Sequence, residues 1–351
     1  MNKSSSKALI SVIIPTRNRV NMLKQAVNSV LNQTHQNLEL FIVDEASTDH
    51  TPEYMKSIND PRVHCIFHQE PKGGNVARNN GFKHAKGNYI AFLDDDDVWA
   101  KTKLEKQYLA FEKHPEVGLV SCNNLVVDAD DNVQRLSKRG NNKLFDHDEA
   151  LKKILIGNFI GGASFPLIRR KCFEDVDGFQ DHLKSAQETN LYLRMIHAGY
   201  SVYICKDPLL LYREHSLHRI TDSYEPKLKG LEQLYEYKKE NLFPFINDEE
   251  ASQVTHEHLR KLSIVYMQHR NYRKFIYVKN KIADEDLVKN ATFYKLKTHI
   301  LVARNRLSHS FPGRLLKSIV QSLKTRKLNK EWEHYMQSEF THYELSYKKV
   351  S

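Results

Sequence analysis

The chain has 351 residues, of which 40% are hydrophobic and 27% are charged, and its formal net charge is +10. This composition is typical of a globular protein long enough for two domains, and it excludes a disordered or fibrous chain. The charge is uneven, since residues 290–351 hold 12 Lys and Arg against 4 Asp and Glu and so carry +8 of the +10. No nucleic-acid recognition motif and no basic run interleaved with aromatic platforms occurs, so we expect no nucleic-acid partner.

The beginning of the chain and its cysteines bear on the cellular compartment. The apolar run at 9–14 is too short for a secretion signal or a membrane span, which predicts a cytoplasmic protein. The four cysteines are widely spaced and form no CxxC pair, so neither a zinc site nor a disulfide framework is indicated: Cys65, Cys122, Cys172 and Cys205.

The first 125 residues alternate short apolar runs with amphipathic stretches, a pattern typical of strand–helix–strand units around a mostly parallel sheet. Helical spacing of apolar residues from Leu23 to Leu31 predicts the first helix. A second helix is predicted through Tyr54 and Ile58 with Pro52 in its first turn, and Gly73 and Gly74 open a third. The predicted strands cover 9–14, 38–43, 63–67, 89–93 and 117–122.

From about 126 to 221 the alternation weakens. Residues 128–132 predict a hairpin turn, and residues 161–164 predict a loop with close backbone approach or unusual dihedral angles. Apolar residues from Leu191 to Ile196 have helical spacing, and Gly199 suits the end of that helix. Beyond 222 the chain is rich in helix-forming, charged and aromatic residues, so we expect a helical, basic extension over 222–351.

Four consecutive aspartates, Asp94 to Asp97, follow the fourth predicted strand. A buried strand that carries acids at its carboxyl end delivers them to the crevice where open α/β sheets bind ligands. Neighbouring carboxylates repel one another, so an ionised cluster needs a cation or another positive partner. Oxygen ligands suit Mg²⁺ or Mn²⁺. The sequence therefore predicts a divalent-cation site here, with a solvated acidic turn as the alternative.

Five motifs in order closely resemble those of family 2 glycosyltransferases with the GT-A fold, and the resemblance covers roughly residues 8–220. It implies inverting, metal-dependent transfer of a sugar from a nucleoside diphosphate sugar, with a UDP-sugar favoured, to a saccharide or lipid-linked acceptor during cell-surface polysaccharide assembly. It also implies that 1–125 bind the nucleotide sugar and 126–221 the acceptor. The motifs are SVIIPTRN at 11–18, VDEASTD at 43–49, ARNNG at 77–81, FLDDDD at 92–97 and ETNLYLR at 188–194.

The resemblance assigns the metal and its surroundings as follows. Asp94 and Asp96 form the D-x-D pair, with Asp96 as a direct metal ligand. Either Asp94 or Asp95 holds the ribose or a metal-bound water, and the sequence does not separate the two. His215 lies in a segment that resembles the one closing over the donor, where a histidine can complete the metal shell. A surface role is the alternative for His215.

Donor recognition is expected at the ends of the first two strands. Pro15, Thr16 and Arg17 follow or end the first strand, and Asp44 and Glu45 follow the second; in the family these positions flank the base and ribose. The Glu45 carboxylate can accept the imide N–H of a pyrimidine, although the family usually has Asp there and often an aromatic residue in place of Arg17. Helix capping is the alternative role for Asp44 and Glu45.

Two further residues complete the expected site. Arg78 can reach the base or the diphosphate, with a surface ion pair as the alternative. Glu188 stands where the family normally has the catalytic Asp, which takes the proton of the attacking acceptor hydroxyl. The alternative is that Glu188 only caps the helix that follows it.

Three other expectations concern partners and rival functions. A basic amphipathic pattern at 311–330 is compatible with peripheral contact with an anionic membrane, or with packing in its own domain or a homo-oligomer. A nucleotidyl or phosphoryl transferase is the first rival, although its glycine-rich phosphate loop is absent after the first strand. A non-catalytic nucleotide-sugar-binding or scaffold protein is the second, suggested by Glu at 45 and 188.

Overall fold

The computed structural model describes residues 8–128, 131–214, 224–284, 332 and 335–340. In these residues ten strands form one sheet. The strands are β1 (Ile10–Thr16), β2 (Leu38–Asp44), β3 (Val63–Phe67), β4 (Tyr89–Phe92), β5 (Val98–Trp99), β6 (Val117–Val127), β7 (Val133–Ser137), β8 (Lys143–Phe145), β9 (Leu167–Arg169) and β10 (Ser201–Arg213). The helices are α1 (Val20–Leu31), α2 (Thr51–Ser57), α3 (Gly74–His84), α4 (Lys103–Lys113), α5 (His147–Ile156), α6 (Arg170–Glu174), α7 (Gln187–His197), α8 (Tyr224–Asn241), α9 (Asp248–Gln268) and α10 (Tyr272–Asp284).

The sheet is parallel in its first half and mixed in its second. Strands β3, β2, β1 and β4 lie in that spatial order and pair in parallel. The sequence predicts the parallel pairing but not the order. Beyond β4 the short strand β9 is inserted antiparallel between β4 and β6, and β10 then runs parallel to β6. Strands β5 and β8 pair antiparallel with β10, and β7 with β6. The parallel half therefore brings the ends of β1, β2 and β4 to one edge.

Helices cover both faces of the sheet, which explains why its central strands are buried apolar runs rather than alternating ones. All seven residues of β1 are buried. Apolar residues of α1, α2 and α4 pack on one face, and those of α3, α5 and α7 on the other. The predicted hairpin at 128–132 joins the antiparallel strands β6 and β7. Because β6 runs through residue 125, the two predicted halves share one sheet, and their division of labour stays a prediction.

The region after 222 is helical wherever the structure describes it, as predicted. Helices α8 and α9 contact the end of α5, which packs on the sheet. Lys238 donates from Nζ to the carbonyl oxygen of Leu155 at 2.5 Å, and Lys261 donates to that of Ile156 at 2.8 Å. The last carbonyls of a helix have no partner within the helix, so these two lysines cap α5 from outside.

Residues 335–340 pack beside β5 and the segment that leads from it into α4. Met336 and Phe340 are 1% and 3% exposed and belong to the same core cluster as Trp99. The backbone N–H of Lys101 donates to the Glu339 carbonyl at 2.8 Å, and the Thr102 hydroxyl to its carboxylate at 2.6 Å. The core around Trp99 thus includes side chains that lie more than 200 residues further along the chain.

All four cysteines are free thiols, in agreement with the sequence prediction. In the described part of the chain, none of the helices combines the length and the apolar character needed to cross a bilayer.

Candidate active site

The acidic loop between β4 and β5 gathers three carboxylates. Asp94, Asp96 and Asp97 each offer an oxygen, and these atoms lie within 4.8 Å of one another. The loop is fixed by Ser164, whose hydroxyl accepts the Asp94 N–H at 3.0 Å and whose carbonyl accepts the Trp99 indole N–H at 2.9 Å. Trp99 is 1% exposed, so it fills the core and is not presented to an acceptor.

Two guanidinium groups neutralise the acids from opposite sides. Arg19 donates from Nη1 to Asp95 and to Asp96, both at 3.0 Å. Arg78 donates from Nη2 to Asp94 at 2.6 Å. Positive partners at this distance offset the mutual repulsion of adjacent carboxylates.

Burial shifts the titration of two acids in the loop. Burial raises the pKa of Asp95 to about 6, against the opposing effect of Arg19, and the Asp96 charge raises it further. Burial also raises the pKa of Asp97 well above its usual range, and the charges of Asp96 and Asp94 act in the same direction. Asp94 and Asp96 are more exposed, with side chains 32% and 18% accessible. The two residues of the D-x-D pair are therefore the accessible ones.

Arg213, at the end of β10, supports the acidic loop from behind. Its Nη1 donates to the Asp96 carbonyl at 3.1 Å, and its backbone N–H approaches the Asp97 carboxylate at 3.4 Å. Its Nη2 donates to Gln25 of α1 at 2.9 Å and to Asp131 at 3.0 Å. This 5% exposed arginine thereby links the loop to α1 and to the β6–β7 hairpin.

The residues expected to bind the nucleoside lie at the ends of β1 and β2. These strands pair so that Thr16 lies opposite Asp44. The Thr16 hydroxyl donates to Asp95 at 2.8 Å, which joins the end of β1 to the acidic loop. Asp44 accepts the Ser47 N–H at 3.2 Å and so closes a turn. Pro15 is buried in β1, whereas the Arg17 side chain is exposed beyond it.

Glu45 is engaged by protein groups on both carboxylate oxygens. Oε1 lies 2.5 Å from His68 Nδ1, and Oε2 accepts the backbone N–H groups of Lys72, at 2.8 Å, and Gly73. His68 Nε2 in turn lies 2.7 Å from the Asn80 amide nitrogen. Glu45 thus fixes the loop that opens α3. Neither Glu45 nor Asp44 caps a helix, and α2 instead begins with the Asp49 side chain accepting the Thr51 N–H at 3.0 Å.

Arg78 is 7% exposed and projects from α3 towards the acids. Its guanidinium carbon lies 5.4 Å from the Phe179 ring centre, and Nη1 would be 3.0 Å from a Cβ at Gly74. Among the described residues, its buried Nε has no hydrogen-bond partner. A buried N–H without a partner is costly, and an anionic ligand would satisfy it.

Glu188 lies in the first turn of α7 and is half-buried. Burial raises its pKa; the Arg78 charge opposes this shift and the Asp94 charge adds to it. The residue is therefore within electrostatic reach of both Arg78 and Asp94. No side-chain hydrogen bond caps α7, whose N-cap is Ala186 in the left-handed conformation with φ 58°.

Neighbouring elements fix the segment that leads to Glu188. Asn75 donates to the carbonyls of Gln180 and Leu183 at 2.8 and 3.1 Å, and Asn79 to that of Phe179 at 2.7 Å. Helix α3 therefore holds both Arg78 and the loop before α7.

The structure brings together nearly all of the predicted site. Hydrogen bonds link Thr16 to Asp95 and Arg78 to Asp94, and Glu188 lies within electrostatic reach of Arg78 and Asp94. Asp96 belongs to the same acidic loop, and Asp44 and Glu45 lie at the neighbouring end of β2. His215 lies outside the described residues, as do 311–330. Sequence reasoning missed Arg19, Ser164 and Arg213. Of these three residues, only Arg19 could have been suggested by the sequence. It closely follows β1, whose end lies beside the strand that carries the acids.

The carboxylate ligands of the acidic loop suit a divalent cation. Three carboxylates within 4.8 Å of one another offer the hard oxygen ligands that Mg²⁺ and Mn²⁺ prefer. The accessible members, Asp94 and Asp96, coincide with the predicted ligands. Asp97 also belongs to the cluster, although the sequence gives it no more than a part in shaping the turn.

A sheet of this topology, with acids at the end of β4 beside the ends of β1 and β2, defines a glycosyltransferase with the GT-A fold. The chain belongs to glycosyl transferase family 2, whose model matches residues 11–177. It is 32% identical over 209 residues to the putative teichuronic acid biosynthesis glycosyltransferase TuaG of Bacillus subtilis (strain 168), covering 59% of this chain and 79% of TuaG.

Two other proteins illustrate the range of similarity. Over 99 residues the chain is 44% identical to WfaP of Escherichia coli, a UDP-Glc:alpha-D-GlcNAc-diphosphoundecaprenol beta-1,3-glucosyltransferase, covering 28% of this chain and only 39% of WfaP. The crystal structure of S. aureus TarS 1-349 in complex with UDP-GlcNAc superposes with a TM-score of 0.63 at 17% identity, covering 78% of this chain and 80% of that one. At this identity the TarS match shows the fold alone.

Proposed function

We propose that this glycosyltransferase moves a sugar, with inversion, from a UDP-sugar to a saccharide or lipid-linked acceptor in cell-surface polysaccharide synthesis, with Mn²⁺ or Mg²⁺ as cofactor. The observation that carries the proposal is the position of Arg78, hydrogen-bonded to Asp94 and electrostatically coupled to Glu188. The names of TuaG and WfaP support the pathway and the donor class.

On the donor side, Asp96 and Asp94 hold the cation, with His215 as a further predicted ligand. The bound cation supplies Lewis-acid stabilisation of the leaving diphosphate. Arg78 offers its unpartnered Nε–H to the same anion. Asp95, held by Thr16 and Arg19, keeps the end of β1 beside the acidic loop.

The nucleoside lies at the ends of β1 and β2 in this proposal, against Pro15, Thr16, Arg17 and Asp44. Arg17 is exposed and its planar guanidinium can stack on a base. Glu45 acts first as the anchor of the 68–73 loop, because both of its oxygens are engaged there. Glu45 can bind the nucleotide base directly only if one of these hydrogen bonds is broken.

On the acceptor side, Glu188 takes the proton from the attacking hydroxyl. A general base works best when its pKa lies near the working pH, and burial moves Glu188 in that direction. Arg78 opposes the shift and keeps the carboxylate available as a base. Glu is one methylene longer than the usual Asp, so the start of α7 has to place it correctly.

The proposed role of Glu188 as the general base is tested by the variant Glu188→Gln. We expect kcat to fall by about 10²- to 10⁴-fold while the Kd values for UDP and Mn²⁺ stay unchanged. The matched control is Glu225→Gln, which alters an exposed acid in the first turn of α8. Turnover by Glu188→Gln at the wild-type rate would show that the assigned base is wrong.

The metal is tested by chelation. EDTA is expected to abolish transfer, Mn²⁺ or Mg²⁺ to restore it, and Asp96→Asn to remain inactive at any metal concentration. Asp148→Asn, whose side chain is 88% exposed, serves as the charge-matched control. Full activity in EDTA would exclude the metal-dependent mechanism.

The donor is identified by a thermal-shift screen over nucleotide sugars with Mn²⁺. Stabilisation by a UDP-sugar above all others supports the proposed donor class. Wild-type protein that binds donor and metal yet neither transfers nor hydrolyses the sugar would favour the non-catalytic alternative. Membership of family 2 gives no support to a nucleotidyl transferase.

A further inference from the structure

Helix α10 presents a mixed apolar and basic face to solvent. Its inner side chains, Phe275 and Val278, pack with α8 and α9 in the core of the extension. The remaining described side chains around the helix are exposed and interleave apolar groups with cations: Tyr272, Arg273, Lys274, Ile276, Tyr277, Asn280 and Lys281. Tyr272, Ile276 and Tyr277 are 59%, 54% and 61% exposed, which is unusual for such large apolar groups.

The charged side chains that the structure describes on this face are all cations: Arg273, Lys274 and Lys281. The Lys274 ammonium lies 5.7 Å from the Tyr266 ring centre, and that of Lys281 lies 5.5 Å from the Tyr277 ring centre. The cations therefore stand beside apolar rings, and the partner that complements them is negatively charged with an apolar layer.

A groove adjoins the same helix. It has a volume of about 410 Å³ between α8, α9 and α10, and Lys274 and Lys281 line it together with Tyr277. A His258 ring stacked on Tyr235 at 4.1 Å lies across the groove, with Glu236 as the acid among its lining residues. Two ammonium groups at the edge of such a groove provide direct partners for phosphate.

We propose that the outer face of α10, formed by Tyr272, Arg273, Lys274, Ile276, Tyr277 and Lys281, is a docking surface for a bilayer that contains anionic phospholipid. Tyrosine rings favour the headgroup level of a membrane, an exposed isoleucine enters the acyl boundary, and Lys and Arg reach lipid phosphates. A nucleic acid would use the cations and rings but gains nothing from Ile276. This surface is independent of the acidic loop and of the proposed sugar transfer.

The test is cosedimentation of the full chain with vesicles of phosphatidylcholine alone or mixed with phosphatidylglycerol. We expect binding only to the anionic vesicles, and release in high salt. The double variant Arg273→Glu with Lys274→Glu is expected to weaken the partition coefficient by about 30-fold or more. Lys83→Glu with Lys113→Glu changes the net charge equally at exposed positions of α3 and α4, and is expected to bind nearly as wild type.

The apolar contribution is tested by Ile276→Ser with Tyr277→Ser, expected to weaken binding by about 10-fold. The control is Leu109→Ser, which replaces a 49% exposed leucine on α4. Melting curves verify that every variant folds. We expect each to fold because the substituted positions are exposed.

Three outcomes would overturn the proposal. One is wild-type protein that ignores anionic vesicles. Another is binding that survives both α10 double variants, which would place the contact elsewhere, for example in 311–330. The third is binding that depends on the cations but not on Ile276 and Tyr277, and that soluble dextran sulfate removes at low concentration, which would indicate a soluble polyanion instead of a membrane.

Discussion

Gly230 in α8 lies directly against the backbone of Ser185, so that a Cβ at position 230 would be 2.8 Å from the Ser185 carbonyl oxygen. Ser185 precedes Ala186, the left-handed residue from which α7 and Glu188 begin. The helical extension is thus in contact with the turn that presents the proposed base, and only a residue without a side chain permits the approach.

Gly230→Ala is expected to displace that turn. Overpacking against backbone should lower the free energy of unfolding by about 1–3 kcal/mol. Because a misplacement of about 1 Å can cost on the order of 10²-fold in rate, kcat should fall by more than the stability loss explains. Urea unfolding and steady-state kinetics measure the two effects. Lys229→Ala, exposed on the same helix, is the control, and unchanged kcat in Gly230→Ala would contradict the coupling.

Arg19 occupies the position of a cation beside Asp95 and Asp96. Arg19→Met removes this positive charge, so a divalent cation no longer competes with it. We expect the Mn²⁺-induced rise in Tm to be larger in the variant than in wild type, with a lower Tm in EDTA. Differential scanning fluorimetry without donor measures both, and Lys24→Met, which changes an exposed lysine on α1, is the control. An equal or smaller rise would show that Arg19 does not compete with the metal.

Lys238 makes the stability of the protein depend on pH. Burial lowers its pKa from 10.5 to about 7, and the charge of Lys261 adds to the shift. Between these values the unfolded chain binds more protons, so this residue makes stability rise as pH increases from about 7 to 10.5 and adds no slope below 7. Lys238→Met should remove roughly 2 kcal/mol of the gain between pH 7.5 and 9.5.

Urea unfolding of wild type and Lys238→Met at the two pH values measures this difference. Comparison with Lys239→Met isolates it, because Lys239 is an exposed neighbour paired with Glu236. The same slope in wild type and Lys238→Met would indicate that Lys238 keeps an ordinary pKa in the folded protein.

The variant Phe340→Ala tests the packing of residues 335–340 beside β5. Phe340 is 3% exposed in the core cluster that contains Trp99. Phe340→Ala should lower the free energy of unfolding by about 3–5 kcal/mol, whereas the exposed Gln337→Ala should change it by less than about 0.5 kcal/mol. Equal Tm values for the two variants would exclude a structural role for residues 335–340.

Much of the fold could be predicted because its determinants are local. The strands β1, β2 and β4 are apolar runs buried on both faces, and their sequences alone identify them. The antiparallel insertion of β9 could not be predicted, because three residues between a glycine loop and α6 carry no pairing signal. The packing of Met336 and Phe340 depends on contacts more than 200 residues apart, which no local pattern encodes.

The site, like the fold, has residues that the sequence could predict and residues that it could not. Asp94, Asp96, Arg78 and Glu188 could be named from their motifs, and in the structure Arg78 lies beside Asp94 and within electrostatic reach of Glu188. The anchoring role of Glu45 could not be foreseen, because it depends on His68 and on backbone N–H groups of a distant loop. Arg213 likewise acquires its role only when β10 returns behind the acidic loop.

The burial of Met336 and Phe340 beside Trp99 also sets the order of events during synthesis. A ribosome that adds about 5–20 residues per second reaches position 340 roughly 10–50 s after position 99. Until then, the apolar surface around α1 and β5 lacks two of its covering side chains. The nascent transferase half therefore keeps this apolar surface available to chaperones and to aggregation while the helical extension is translated.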